Sequence, residues 1–246
     1  MVFRARLFRA YHAMRAAIAP SLRYSQEIYE ETLSPLIPGA RWLDLGCGHR
    51  VLPPWREVQE KELVKSSQCA VGLDYDLDSL RRHRSVSLRV RGELGRLPFP
   101  DGSVDVASAN MVLEHLSDPV AVFREVHRVL APGGKFIFHT PNDRGYATVA
   151  ARLIPQRPKE WLAGLLENRP AADVFPTHYR ANNVERLEAL ARAVGFEPVT
   201  IRLIATDAVF AVVPPLALIE LLWLRLLLTR PLRRLRPNLI GVFRRR

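Results

Sequence analysis

Asp44, Gly46 and Gly48 carry the first chemical signal in this chain. They close the apolar run Arg41-Trp42-Leu43-Asp44-Leu45. A run that ends in Asp-x-Gly-x-Gly reads as a buried strand breaking into a glycine loop. The glycines there remove the Cβ atoms that would hold a ligand away from the backbone. A second run, Ala70-Val71-Gly72-Leu73-Asp74, also ends in a carboxylate. In a dinucleotide-type fold such an acid stands beside the ribose hydroxyls of a nucleoside ligand. A nicotinamide dinucleotide would need Gly-x-Gly-x-x-Gly, and the third glycine position holds Val51.

Three histidines are placed for acid–base work, in which a side chain takes or gives a proton at the reacting group. His115 follows Glu114 after the fourth strand. His139 ends the fifth strand. His178 precedes Tyr179-Arg180 in the loop before a late helix. His115 is read either as a base or as a residue that orders its loop. His127 sits on a helix and reads as a surface residue.

These residues need an alternating frame to hold them. Residues 1–38 read as a helical cap with breaks at Pro20, Pro35 and Pro38. Strands are expected at 41–45, 69–74, 86–91, 104–109, 136–138, 197–204 and 238–243. Pro53-Pro54 opens a helix through Lys65, and Asp76 or Asp78 caps a short one through Arg84. Asp118-Pro119 starts a helix whose Val122, Phe123, Val126, Val129 and Leu130 form a core-facing stripe, ended by Pro132-Gly133-Gly134. Asn183 opens another, with Leu187, Leu190 and Val194 on one face and Gly195 as its stop. Alternating strands and helices give an α/β fold with a mostly parallel sheet and helices on both faces. Residues 141–180 carry five prolines and read as a substrate lid inserted in the core, since so long an excursion in a compact α/β domain is often functional.

The order of these motifs, continuing through Leu97-Pro98-Phe99-Pro100-Asp101-Gly102-Ser103-Val104-Asp105-Val106, Val112-Leu113-Glu114-His115-Leu116 and Leu130-Ala131-Pro132-Gly133-Gly134-Lys135, resembles the class I S-adenosylmethionine-dependent methyltransferases. The broad quinone and small-molecule group is the nearest, over roughly residues 40 to 200. The resemblance implies a Rossmann-like fold, with a seven-stranded, mostly parallel sheet whose last strand is antiparallel. It implies S-adenosylmethionine as cofactor, with Asp44, Gly46 and Gly48 around its methionine end and Asp74 on its ribose hydroxyls. Gly92-Glu93-Leu94 stands where the family has Gly-Asp-Ala, so Glu93 is expected at the adenine amino group and Leu94 on the ring. Asn110 is expected beside the methyl group. Cys47 and Tyr75, neighbours of these residues in the chain, complete the expected cofactor set. His115 and His178 are the expected catalytic residues. The family tends to have a glycine where this chain has Arg50. Some quinone O-methyltransferase relatives bind a divalent metal through Glu-x-x-Glu-His; here the first position is Met111, and no metal is expected.

The chain has 246 residues, a formal net charge of +11 and 48% hydrophobic residues. This is enough for one α/β domain with additions. The arginine excess lies largely at the ends: Arg4, Arg6, Arg9, Arg15 and Arg23 precede the first acid, Glu27, and Arg230, Arg233, Arg234, Arg236, Arg244, Arg245 and Arg246 lie near the other terminus. The acid-free start has the composition of a transit peptide, though a cap helix explains it as well. Cys47 and Cys69 have neither disulfide nor zinc spacing, which points to a reducing cytoplasm. The core is expected at 39–207 and 237–246. Between its parts lies the apolar and basic insertion 208–236, broken by Pro214-Pro215, Glu220 and Arg225 and thus unsuited to span a bilayer. It reads as a helix buried on the domain or on a dimer partner, or as a membrane-interface segment with its arginines near anionic head groups; the arginines favour the second. The expected function is methyl transfer to a small or lipid-linked acceptor at oxygen, by a cytoplasmic protein that is peripheral at the inner membrane face. The alternatives are an S-adenosylmethionine-binding protein without catalysis and, ranked lower, an RNA methyltransferase. Nucleic acid is disfavoured because no aromatic–basic interleaving is visible. The sequence names no oligomeric state.

Overall fold

The computed structural model describes residues 2–153, 176–211 and 213–246. The chain divides into two units. One comprises Met1–Ser25, Asn142–Pro176 and Leu203–Asn238; the other comprises Gln26–Pro141, Thr177–Arg202 and Leu239–Arg246.

The second unit carries the sheet. Its strands are β1 (Arg41–Leu45), β2 (Cys69–Asp74), β3 (Leu88–Arg91), β4 (Val104–Asn110), β5 (Leu130–Pro141), β6 (Phe196–Ile204) and β7 (Asn238–Arg245). They lie in the order β3-β2-β1-β4-β5-β7-β6, with the last strand antiparallel. The pairs β3–β2, β2–β1, β1–β4 and β4–β5 are parallel, so their carboxyl ends share one edge. Such an edge is where open α/β sheets bind ligands.

The helices of this unit are α2 (Ser25–Leu33), α3 (Glu57–Ser66), α4 (Leu77–Arg81), α5 (Pro119–Val129) and α7 (Val184–Val194). Asp118 caps α5 by accepting from the Ala121 N–H at 3.1 Å, and Pro119 takes the first helical position. Val122, Phe123, Val126 and Val129 are buried, against an aromatic cluster in which Phe123 meets Phe136, Phe138, Phe196 and Phe243. Gly241 of β7 lets that cluster close, since a Cβ there would stand 2.2 Å from Phe138.

Three expected boundaries move. Helix α5 ends at Val129, and Pro132-Gly133-Gly134 lies inside β5. Val104 pairs with Leu130 while Val106 pairs with Lys135, so the Pro-Gly-Gly segment bulges out of a strand that began earlier. Helix α4 stops at Arg81, not Arg84, because Arg84 turns its guanidinium onto Glu60 and the carbonyls of Leu52 and Pro53. Strand β3 begins at Leu88, and Val86 is a buried connector instead.

The first unit holds α1 (Val2–Ile18), α6 (Tyr146–Leu153) and α8 (Pro214–Leu227). Tyr11, Ala19 and Leu22 pack with Ala205, Ala208, Ala217, Leu221, Leu224 and Leu227. Much of the expected lid, 154–175, lies outside the described residues.

Candidate active site

The loop after β1 is built by hydrogen bonds to the end of β2. The N–H groups of Gly46 and Cys47 both donate to the Leu73 carbonyl, at 2.8 and 3.2 Å. Gly48 N–H donates to Asp74 Oδ2 at 2.8 Å, and Asp76 N–H donates to Asp74 Oδ1 at 2.9 Å. Asp74 therefore shapes the loop, and its two oxygens still have lone pairs to offer.

The two glycines of the motif are needed for different reasons. Gly46 and Gly48 both have left-handed φ, +63° and +53°, which other residues adopt only at a cost. A Cβ on Gly46 would stand 2.7 Å from Val112 Cγ2, whereas one on Gly48 would meet nothing within 4 Å. Gly48 thus faces open space beside Asp74. Arg50 has no such backbone demand, because it is absent from the left-handed residues. Its lack of a glycine does not distort the loop. Cys47 buries its side chain against Gly72, and burial pushes its thiol up. Only its backbone can line a ligand.

Beneath the loop, Asp44 is buried. It accepts from Ser108 Oγ at 2.5 Å, and Ser108 in turn accepts from Trp42 Nε1 at 2.7 Å. Burial pushes the Asp44 carboxyl up to about 7, with Glu60 and Asp74 adding repulsion and the Ser108 bond opposing them. Glu60, fully buried, ties the far side of the loop by accepting from Leu52 N–H and holding Arg84 and Ser85.

At the neighbouring strand ends, Asn110 of β4 pairs in register with His139 of β5. Asn110 Nδ2 donates to Gln26 Oε1 at 2.8 Å, and Gln26 Nε2 returns a bond to Asn110 Oδ1 at 3.3 Å. His139 Nδ1 meets that same Oδ1 at 2.9 Å. Tyr29 of α2 stacks on the imidazole, with ring centroids 5.8 Å apart. Burial holds His139 down to about 4, so it is neutral at ordinary pH.

Glu114 joins the two expected bases. His178 N–H and Tyr179 N–H both donate to its carbonyl, at 2.7 and 3.2 Å. Its buried carboxylate accepts from Thr140 Oγ1 at 3.0 Å and lies 3.9 Å from His115 Nε2. His115 is half-buried and His178 exposed, on loops that meet at Glu114 and again where Arg180 Nη1 donates to the Ser117 carbonyl at 2.6 Å. Met111, between Asn110 and Glu114, has φ of +58°. Its strained backbone is held by a 2.8 Å bond from its N–H to the His139 carbonyl.

Glu93 and Tyr75 are exposed and Leu94 is half-buried after the β3 and β2 ends; the Tyr75 carbonyl accepts from Arg91 Nε. His127 is not a free surface residue: it packs edge-on against Phe196 at 5.0 Å. Among the described residues no group of three or more His, Cys, Asp or Glu is arranged to hold a metal ion. Gln26, Tyr29, Ser108 and Glu60 escaped sequence reading. No motif marks them, and only the helical stretch before β1 hinted that α2 would reach the strand ends.

Residues 12–201 match the family described as "Methyltransferase domain". A probable S-adenosylmethionine-dependent methyltransferase of Mycolicibacterium smegmatis is 36% identical over 120 residues, which cover 47% of this chain and 44% of that protein. A demethylmenaquinone methyltransferase of Corynebacterium urealyticum is 31% identical over 170 residues, covering 62% of this chain and 70% of that protein. The chain spans about half the length of the first curated relatives it matches. A crystal structure of an S-adenosylmethionine-dependent methyltransferase from Mesorhizobium loti shares the fold, with a TM-score of 0.58, 24% identity and coverage of 89% of this chain and 96% of that one. With a family match over most of its length, beginning before β1 and running into β6, this chain belongs to the methyltransferase-domain family.

Proposed function

We propose that this chain is an S-adenosylmethionine-dependent methyltransferase that moves a methyl group to a small or lipid-linked acceptor, at oxygen. The observation that carries the reading is the pairing of Gly48 with Asp74: a glycine facing open space, held by a carboxylate with lone pairs to spare. That set suits a ligand with a ribose and a cationic amino-acid end.

In this reading Asp74 accepts from the ribose hydroxyls, and Gly46, Gly48 and the Cys47 backbone follow the methionine end. Asp44 lies under the loop at that end, and its carboxyl, held up to about 7 by burial, supplies negative potential only as pH rises past that value. Glu93 and Leu94 take the adenine, Tyr75 flanks the ribose side, and Asn110 borders the reacting methyl. The cofactor, when bound, supplies a methyl group already activated on a sulfonium. The chain's task is then to align an acceptor oxygen behind that methyl, which is proximity and orientation catalysis. A methyl supplied in this way would pass to the acceptor oxygen, and His115 or His178 would take the acceptor's proton. Their shared anchor at Glu114 supports a common role. His139, neutral and buried, serves as a fixed polar wall and not as the proton acceptor. In the same reading the protein rests peripherally on the inner membrane face through 208–236.

Calorimetry with S-adenosylhomocysteine tests the cofactor site, and absence of binding to well-folded protein would sink the reading. Labelled cofactor with fractionated cell extract then tests the acceptor. Label in a lipid-soluble fraction is the expected result. Cofactor binding with no transfer to any fraction would instead favour a binding protein without catalysis.

A further inference from the structure

Helix α8 is apolar on every side: Pro-Pro-Leu-Ala-Leu-Ile-Glu-Leu-Leu-Trp-Leu-Arg-Leu-Leu. A helix of that kind is normally buried all round. Here only one arc is. Ala217, Leu221, Leu224 and Leu227 are fully buried against Tyr11, Ala19 and Leu22. Glu220 shares that arc, accepting from Tyr146 Oη at 2.6 Å and from Phe210 N–H at 2.9 Å. The opposite arc is bare: Leu218 is 42% exposed, Ile219 65%, Leu222 49% and Leu226 52%. Positions i, i+1, i+4 and i+8 fall on one side of a helix, so these four form a continuous apolar strip.

We propose that this strip is a docking face for an anionic bilayer surface, with Ile219, Leu222 and Leu226 entering the acyl boundary and Arg225, Arg230, Arg233 and Arg234 meeting the head groups. The four arginines are exposed. Among the described residues none has a carboxylate partner, and the only acid from 208 to the last residue is Glu220, which faces inward. Apolar insertion and cationic attraction act together in stable interfacial binding. A second copy of the chain is a poor occupant. A two-fold contact sets one patch against itself, which would bring arginines onto arginines with no acid between them. The 14-residue helix is about 21 Å long at 1.5 Å per residue, too short to cross a bilayer. Among the described residues no helix is long and apolar enough to do so. It therefore lies in the surface plane. Trp223, the obvious interfacial anchor by residue type, is not part of the strip. It packs against Tyr146 with centroids 6.3 Å apart.

This face refines the peripheral contact proposed above, and its test is separate from that of methyl transfer. The full chain is floated with vesicles of phosphatidylcholine alone or with phosphatidylglycerol added. Flotation with the anionic vesicles only, reduced at least tenfold by Ile219→Glu with Leu222→Glu and again by Arg233→Glu with Arg234→Glu, is the expected result. High salt should weaken it, because the Debye length shortens to about 3 Å at 1 M. Unchanged thermal melts and S-adenosylhomocysteine affinity would show the variants still fold. Equal binding to both vesicle types would overturn the anionic assignment, and binding to neither would overturn the face. A concentration-dependent dimer in sedimentation velocity, lost in Ile219→Glu, would overturn it in favour of a second copy.

Discussion

His139 Nδ1 lies 2.9 Å from Asn110 Oδ1 across the paired ends of β4 and β5, and this contact fixes which imidazole nitrogen carries the proton. Asn110 Oδ1 can only accept, so Nδ1 must donate. His139 Nε2 is then a bare acceptor, buried and unpartnered among the described residues. Nitrogen-correlated NMR at pH 7 should find the Nδ1–H tautomer, with no protonation until about pH 4. The opposite tautomer would mean that the Asn110 and Gln26 amides are both reversed. Asn110→Leu should free the ring, mix the tautomers and shift the Tyr29 resonances through the stacked pair.

Asp74→Ala should weaken S-adenosylhomocysteine binding about ten- to 150-fold, the range set by about 1.5–3 kcal/mol for a hydrogen bond to a charged group. It also leaves Gly48 N–H without its acceptor, so a smaller stability loss, about 1 kcal/mol, should accompany it. Calorimetry and denaturant melts separate the two. Affinity unchanged with stability lowered would reduce Asp74 to a loop brace.

The two loop glycines should respond differently to alanine. At Gly48 the added methyl meets nothing, so the stability loss is the left-handed penalty alone, about 1–2 kcal/mol. At Gly46 the clash with Val112 adds an overpacking cost of about 1–3 kcal/mol. Cofactor affinity should rank the other way once folding is corrected for, with Gly48→Ala the weaker binder, because its methyl occupies the open side. Equal stability losses would mean that Val112 yields freely.

Much of this frame was legible in the sequence because its signals are local. Asp118-Pro119 and Asn183 cap their helices where expected, and Gly195 ends α7 with φ of +95°. The strand–loop–acid series from Asp44 to Asp74 could be read from residue types alone. What stayed hidden depends on long-range contacts. Gln26 reaches Asn110 across 84 positions, and nothing in the composition of α2 announces it. Glu60 looks like one more charge on a polar helix, yet it is the buried tie of the loop. The Pro-Gly-Gly segment reads as a stop, and only its pairing with β4 reveals it as a bulge within β5. The insertion was open to a buried or an interfacial reading because sequence period cannot tell which arc of an all-apolar helix finds a partner.

The last prediction concerns pH. Burial raises Asp44 to about 7 from its ordinary 3.8 and lowers His139 to about 4 from 6.5. Between about pH 4 and 7 the folded state holds a proton on Asp44 that the unfolded chain has lost. Stability from this group therefore falls as pH rises through that window. Between about pH 4 and 6.5 the unfolded chain holds a proton on His139 that the folded state rejects, so stability from this group rises with pH. Each slope is at most about 1.4 kcal/mol per pH unit. The two oppose each other over nearly the same range, so their own contributions largely cancel there. Removing one member exposes the other. Asp44→Asn should become more stable relative to the parent as pH rises from 4 to 7, and His139→Gln should become less stable over 4 to 6.5. Denaturant unfolding at half-unit pH steps reads both differences. Variants whose differences from the parent do not change with pH would show that neither group is held away from its ordinary ionisation by burial.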